Sequence, residues 1–195
     1  MKLTAAKKRL LRRQLLQLAR ELYLHPQSDA AIRESLKPNY PGLTLEQVRE
    51  AFHYLAEKEL VRIRRDKSRL SVRIEPKGID LLDGALSVRG VEKSSSRYSR
   101  LGYKKEIRRG ILVYCYSFHE FFNEDTEILQ EFRQSGFSNL LIEEVRYHMW
   151  YLNKKSLLEL KTPDVEDEVI FLARITARGM DVLDNNESEP GVSHD

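Results

Sequence analysis

Residues 73–84, RIEPKGIDLLDG, return at 174–185 as RITARGMDVLDN. Seven of the twelve positions are identical or exchange Lys for Arg: Arg73/Arg174, Ile74/Ile175, Lys77/Arg178, Gly78/Gly179, Asp80/Asp181, Leu82/Leu183 and Asp83/Asp184. An internal repeat constrains a chain more than any composition does, because both copies must fold alike. The match extends upstream. Residues 107–112 align with 11–16, Asp125, Ile128 and Phe132 with Asp29, Ile32 and Leu36, and Val145-Arg146 with Val48-Arg49. Residues 151–157 align with 54–60. The offset is 96–97 through these segments and 101 after them, so the extra residues fall between 158 and 173. The expected organisation is a first module over 1–84, a serine-rich linker over 85–102, a second module over 103–185 and a disordered tail over 186–195. Each module is of roughly 80–90 residues, enough to fold alone.

Periodicity gives the elements. Leu11, Leu15, Leu18 and Leu22 mark one face of a first helix over 7–23. Ser28 or Asp29 starts a short second helix with Ile32 and Leu36 inward, and Pro38 ends it. Thr44 followed by Gln47 is a capping-box signature, and it opens a third helix whose buried stripe is Val48, Phe52 and Leu55. The period then falls to two. Val61 and Ile63 alternate with Arg62 and Arg64, and Leu70, Val72 and Ile74 alternate with Arg69, Ser71 and Arg73. That pattern predicts a β-hairpin with one apolar and one basic face. Pro76 begins a closing helix that Gly84 ends. The fold class expected is mainly α with small β-hairpins (α+β).

Three helices, a hairpin and a closing helix in this order resemble the winged-helix fold. Residues 44–58 stand where the second helix of a helix-turn-helix stands, 60–61 enter the wing, and 74–82 look like the stretch that follows the wing in many bacterial winged-helix regulators. The resemblance implies two tandem winged-helix modules and a DNA-binding protein, a bacterial, archaeal or phage transcriptional regulator. Tandem winged helices also look like the kite subunits of condensin-type complexes, which implies the rival reading, a protein-interaction scaffold.

Charge separates the two copies. Residues 1–100 hold 22 Lys and Arg against 12 Asp and Glu; residues 101–195 hold 11 against 18. The first half suits a polyanion and the second does not. Arg62, Arg64, Arg65, Lys67 and Arg69 crowd the first wing. On the third helix, Thr44, Gln47, Arg49, Glu50, His53 and Tyr54 are the outward candidates for reading bases in the major groove, although the carboxylate of Glu50 opposes phosphate. Lys8, Arg12 and Arg13 on the first helix are candidates for backbone phosphate, with a solubilising surface as the alternative. In the second module Ile170 and Leu172 replace polar wing residues, and Tyr147 and Trp150 replace Glu50 and His53. These four are the expected interface, for a homodimer or a protein partner.

Other classes find little support. There is no catalytic triad, nucleotide loop or paired-carboxylate motif, so no enzyme and no cofactor are expected. The five histidines lack metal spacing, and one cysteine makes no zinc site. His148 and Cys115 read as core residues. No apolar run of membrane-spanning length occurs, no signal pattern opens the chain, and a lone cysteine fits a reducing cytoplasm.

Overall fold

The computed structural model describes residues 3–25, 27–66, 69–92, 101–165 and 168–193, with the backbone alone at 66, 69, 164, 165 and 168. Lys67, the Arg69 side chain and residues 93–100 of the expected linker lie outside this description. The chain divides into two compact units, Met1–Ser99 and Arg100–Asp195. It is a mixed α+β protein.

In the first unit the order is α1 (Ala5–Glu21), β1 (Gln27–Ser28), α2 (Asp29–Leu36), α3 (Leu45–Glu57), β2 (Val61–Asp66), β3 (Arg69–Ile74) and α4 (Pro76–Asp83). The second repeats it: α5 (Leu101–Ser117), β4 (Asn123–Glu124), α6 (Asp125–Gln134), α7 (Ile142–Lys154), β5 (Leu158–Lys161), β8 (Leu172–Ile175) and α8 (Ala177–Leu183). The added residues of the second hairpin form a separate two-stranded extension, β6 (Asp164–Val165) with β7 (Glu168–Val169). Each unit has a three-stranded antiparallel sheet, ordered β1-β3-β2 and β4-β8-β5. The third strand of each sheet escaped sequence reading because two residues are too few to show a period.

Local chemistry explains the boundaries. Thr44 Oγ1 accepts from Gln47 N at 3.2 Å while Gln47 Oε1 accepts from Thr44 N at 3.0 Å, so the capping box forms and starts α3. Ser28 caps α2 through Ala31 N. Glu59 and Ser156, at matching positions, both take φ 59° to turn the chain from helix into strand. The buried face of α1 is Leu11, Leu15, Leu16 and Ala19; the helix ends at Glu21, so the expected Leu22 becomes its C-cap instead.

The glycine of the repeated segment sits at a joint. A Cβ on Gly78 would lie 2.3 Å from the Leu60 carbonyl oxygen, and one on Gly179 would lie 2.3 Å from that of Leu157. The same carbonyls accept from Glu75 N and Thr176 N at 3.1 Å. The closing helix therefore packs directly on the backbone that leads into the sheet, and no side chain fits between.

Two expectations change at the ends of the modules. Residues 85–92 do not leave the first unit: Val91 is buried, and the Gly90 and Arg89 carbonyls accept from Arg12 and Tyr54. Residues 186–193 are not a disordered tail: Val192 and Glu189 are buried. The reason is the same in both copies. A small apolar residue after a glycine fills a site beside the first helix, which a polar, serine-rich composition conceals. Leu101 and Gly102, expected in the linker, already belong to α5.

Candidate nucleic-acid interface

The hairpin β2–β3 pairs Arg62 with Arg73 and Arg64 with Ser71, so these residues share one face of the sheet. Val61, Ile63, Leu70, Val72 and Ile74 share the other, and all of them except Ile63 are buried. The alternation that carried the sequence reading is thus realised. Arg62 is 68% exposed and bonds Glu75 Oε1 at 2.9 Å. Arg64 and Arg65 are exposed, and among the described residues no ion pair engages them. Arg65 lies on the apolar side of the hairpin, opposite Leu70, where the strands run past the core.

The third helix differs from expectation. Its fully exposed residues along one face are Glu46, Glu50, His53 and Glu57, spaced four, three and four apart. That face is acidic. The candidates with positive or polar heads are engaged elsewhere. Thr44 and Gln47 form the capping box. Arg49 Nε bonds the buried Asp29 carboxylate at 2.5 Å. Tyr54 donates its hydroxyl to the Arg89 carbonyl at 2.7 Å. Glu50 holds Lys8 Nζ at 3.0 Å.

The first-helix cluster is also built into the unit. Arg12 stacks 3.5 Å from the Tyr54 ring centroid and donates to the Gly90 carbonyl at 2.9 Å. Arg13 donates to the Glu92 carbonyl at 3.2 Å. Of the residues expected to meet DNA, Arg62 and Arg64 stand exposed on one face of the hairpin and Arg65 exposed on the other, while Lys8, Arg12, Arg13, Arg49 and Tyr54 make contacts within the unit. Sequence reading missed that role for Arg12, Arg13 and Tyr54 because their partners are backbone carbonyls, which no motif marks, and for Lys8 and Arg49 because the partner carboxylates lie on other helices. One signal was present: Gly90-Val91 and Gly191-Val192 continue the repeat at its offset of 101.

In the second unit the matching aspartate and arginine recur, with Arg146 Nε 2.5 Å from Asp125 Oδ2. Of the four expected interface residues, Trp150 is 6% exposed and therefore buried, unlike its counterpart His53. Tyr147, Ile170 and Leu172 are half-buried. The outward sheet face carries Phe122, with Lys161 Nζ 3.8 Å and Arg174 Cζ 4.7 Å from its ring centroid. Two cations close to one ring make this face amphipathic rather than apolar. The larger apolar exposure lies elsewhere, on α5 and at the residue that follows it, where Val113, Tyr116 and Phe118 are each about half exposed.

His148 and Cys115 are core residues. The Cys115 thiol is pushed up to about 12 by burial, so it remains protonated and unreactive. Among the described residues no group of three His, Cys, Asp or Glu is placed to hold a metal, and no helix is long and apolar enough to cross a membrane. No protein-family model matches the sequence, and a search of curated proteins finds no match.

Proposed function

We propose that the chain is a DNA-binding protein of two tandem winged-helix modules, a transcriptional regulator whose first module grips duplex phosphates through its wing. The second module serves dimerisation or a protein partner. The observation that carries this reading is that Arg62, Arg64 and Arg65 are all exposed on one hairpin of the more basic unit, the first two on one face and Arg65 on the other. Cations exposed on both faces of one hairpin suit a duplex that carries a charge every ~1.7 Å of its axis. The order of elements in each unit supports the resemblance. The acidic outer face of α3 argues for a wing-led contact over a base-reading helix.

Fluorescence anisotropy on a random duplex across a salt series tests it. Binding should weaken steeply with salt, by a slope of about 0.9 for each phosphate contact. Changing Arg62, Arg64 and Arg65 together to Glu should abolish it, and unchanged affinity rules out the wing. Glu46→Gln with Glu57→Gln should tighten binding if α3 also approaches the duplex.

The scaffold reading keeps a specific observation in its favour: the apolar exposure on α5. A dimer or hetero-complex that ignores duplex DNA at low salt decides for it.

A further inference from the structure

A groove of about 770 Å³ runs between α5 and α6 in the second unit. Gly110 lies within its lining, where a Cβ would come within 2.6 Å of Phe132 Cζ. The two helices approach closely there through a glycine. The opening exposes Val113 (47%) and Phe118 (49%), with Tyr114, Phe132 and Phe137 in the floor and walls. The aromatic lining is braced from behind: Phe132 meets Phe137 edge-on at 5.3 Å, and Tyr114 meets Phe118 at 5.1 Å.

The fold does not require this surface. The matching positions of α1 hold Gln14 for Gly110 and Gln17 for Val113. At these two positions the first unit folds with polar residues. Exposed apolar area that folding does not demand marks a surface for another molecule.

Charge indicates what kind. Glu106 on α5 and Glu131 on α6 stand exposed on opposite walls. Burial raises the Tyr114 hydroxyl pKa, and Glu127 and Glu131 raise it further; the lining holds two carboxylates, Glu106 and Glu131, against one cation, Arg109. Arg109, also in the lining, donates to the Leu183 carbonyl at 3.3 Å. Outside the groove Tyr116 and Phe121 are exposed as well, at 45% and 66%.

We propose that the α5–α6 groove docks an amphipathic helix of a protein partner whose apolar stripe is flanked by lysine or arginine. The apolar stripe fills the trough and the flanking cations meet Glu106 and Glu131. This rests on the reading of the second unit as the partner-binding half, and it moves the binding site from the sheet and α7 to the first two helices of that unit.

The test uses the full chain and labelled synthetic helices of about 14 residues, roughly four turns: a Leu/Lys amphipathic helix, its Leu/Glu twin and a Lys-rich peptide without leucine. The Leu/Lys helix should bind at least about tenfold more tightly than either control. Val113→Ser and Phe118→Ser, both at exposed positions, should cost about tenfold or more in that affinity without lowering Tm. Glu106→Lys with Glu131→Lys should transfer the preference to the Leu/Glu helix. Equal binding of the Leu/Lys and Leu/Glu helices overturns the proposal. Binding that Val113→Ser and Phe118→Ser leave intact but Leu172→Glu removes overturns the groove and keeps the second unit as the partner-binding half. No binding of any helix, together with a monomer in light scattering, overturns both. A dimer that Val113→Ser dissociates assigns the groove to a second copy and overturns the partner helix.

Discussion

Arg108 lies with its guanidinium carbon 3.8 Å from the centroid of the Tyr151 ring, as Arg12 lies 3.5 Å from that of Tyr54. In both units the arginine also donates to a glycine carbonyl, Gly191 or Gly90, and the tyrosine to the preceding carbonyl, Pro190 or Arg89. Both glycines have positive φ, 79° and 91°. A first-helix arginine, a third-helix tyrosine and the chain's return past the closing helix are thus fastened together twice.

Ending the chain after Asn186 tests the fastening in the second unit. The truncation removes the fully buried Val192, a loss of about 1.5–3 kcal/mol, and takes a carbonyl acceptor from the fully buried Arg108, a further ~1–3 kcal/mol. Thermal unfolding should fall by about 10 °C or more, since ~1 kcal/mol shifts a domain of this size by about 4–8 °C. A tail that contributed nothing would leave Tm unchanged. Tyr151→Phe, which deletes the hydroxyl bonded to Pro190 O at 3.1 Å, should cost about 1 kcal/mol.

Buried ion pairs tie the second and third helices to the sheet. Asp125 is fully buried; its Oδ2 bonds Arg146 Nε at 2.5 Å and accepts from Phe171 N at 3.1 Å. Asp29 does the same with Arg49, and lies 3.5 Å from Leu70 N. Arg146→Ala leaves a buried carboxylate uncompensated and should destabilise by about 3 kcal/mol in urea unfolding. Arg49→Ala should cost less, because Arg49 is 37% exposed against 22% for Arg146 and water screens the pair. The stability loss separates this role from base reading: Arg49→Ala should lower the unfolding midpoint whether or not DNA is present.

The elements with a strong period were legible in the sequence: the capping box at Thr44, the alternation of β2 and β3, and Pro76 opening α4. The repeat carried them into the second unit. What escaped depends on groups a sequence does not display. Arg12 and Tyr54 look like surface side chains until the carbonyls of Gly90 and Arg89 arrive beside them. Trp150 replaces the exposed His53 and is buried, so a shared position does not guarantee a shared environment. The α5–α6 groove was half visible. Tyr114, Tyr116 and Phe118 stand plainly in the sequence, but the close approach of the two helices depends on Gly110, which lets Phe132 reach the helix backbone. The exposed face of α3 is acidic because its basic member, Arg49, turns inward to Asp29.

His148 makes the second unit sensitive to acid. Its ring is 1% exposed, and Nδ1 accepts from Arg108 Nε at 3.2 Å, which leaves the ring proton on Nε2. Burial, with Arg108 and Lys104 adding repulsion, holds its pKa well below 6.5. In the unfolded chain the same histidine binds a proton near pH 6.5. Below that pH the unfolded state carries the proton and the native state does not, so stability is full above about pH 6.5 and falls as the pH drops, by up to ~1.4 kcal/mol per unit. Protonation in place would set one donor against another at Arg108, the residue that holds Gly191. His148→Gln keeps an acceptor for Arg108 and does not titrate. Urea midpoints measured from pH 7.5 to 5 should decline for the native chain and stay nearly level for His148→Gln; parallel declines would assign the loss to other groups.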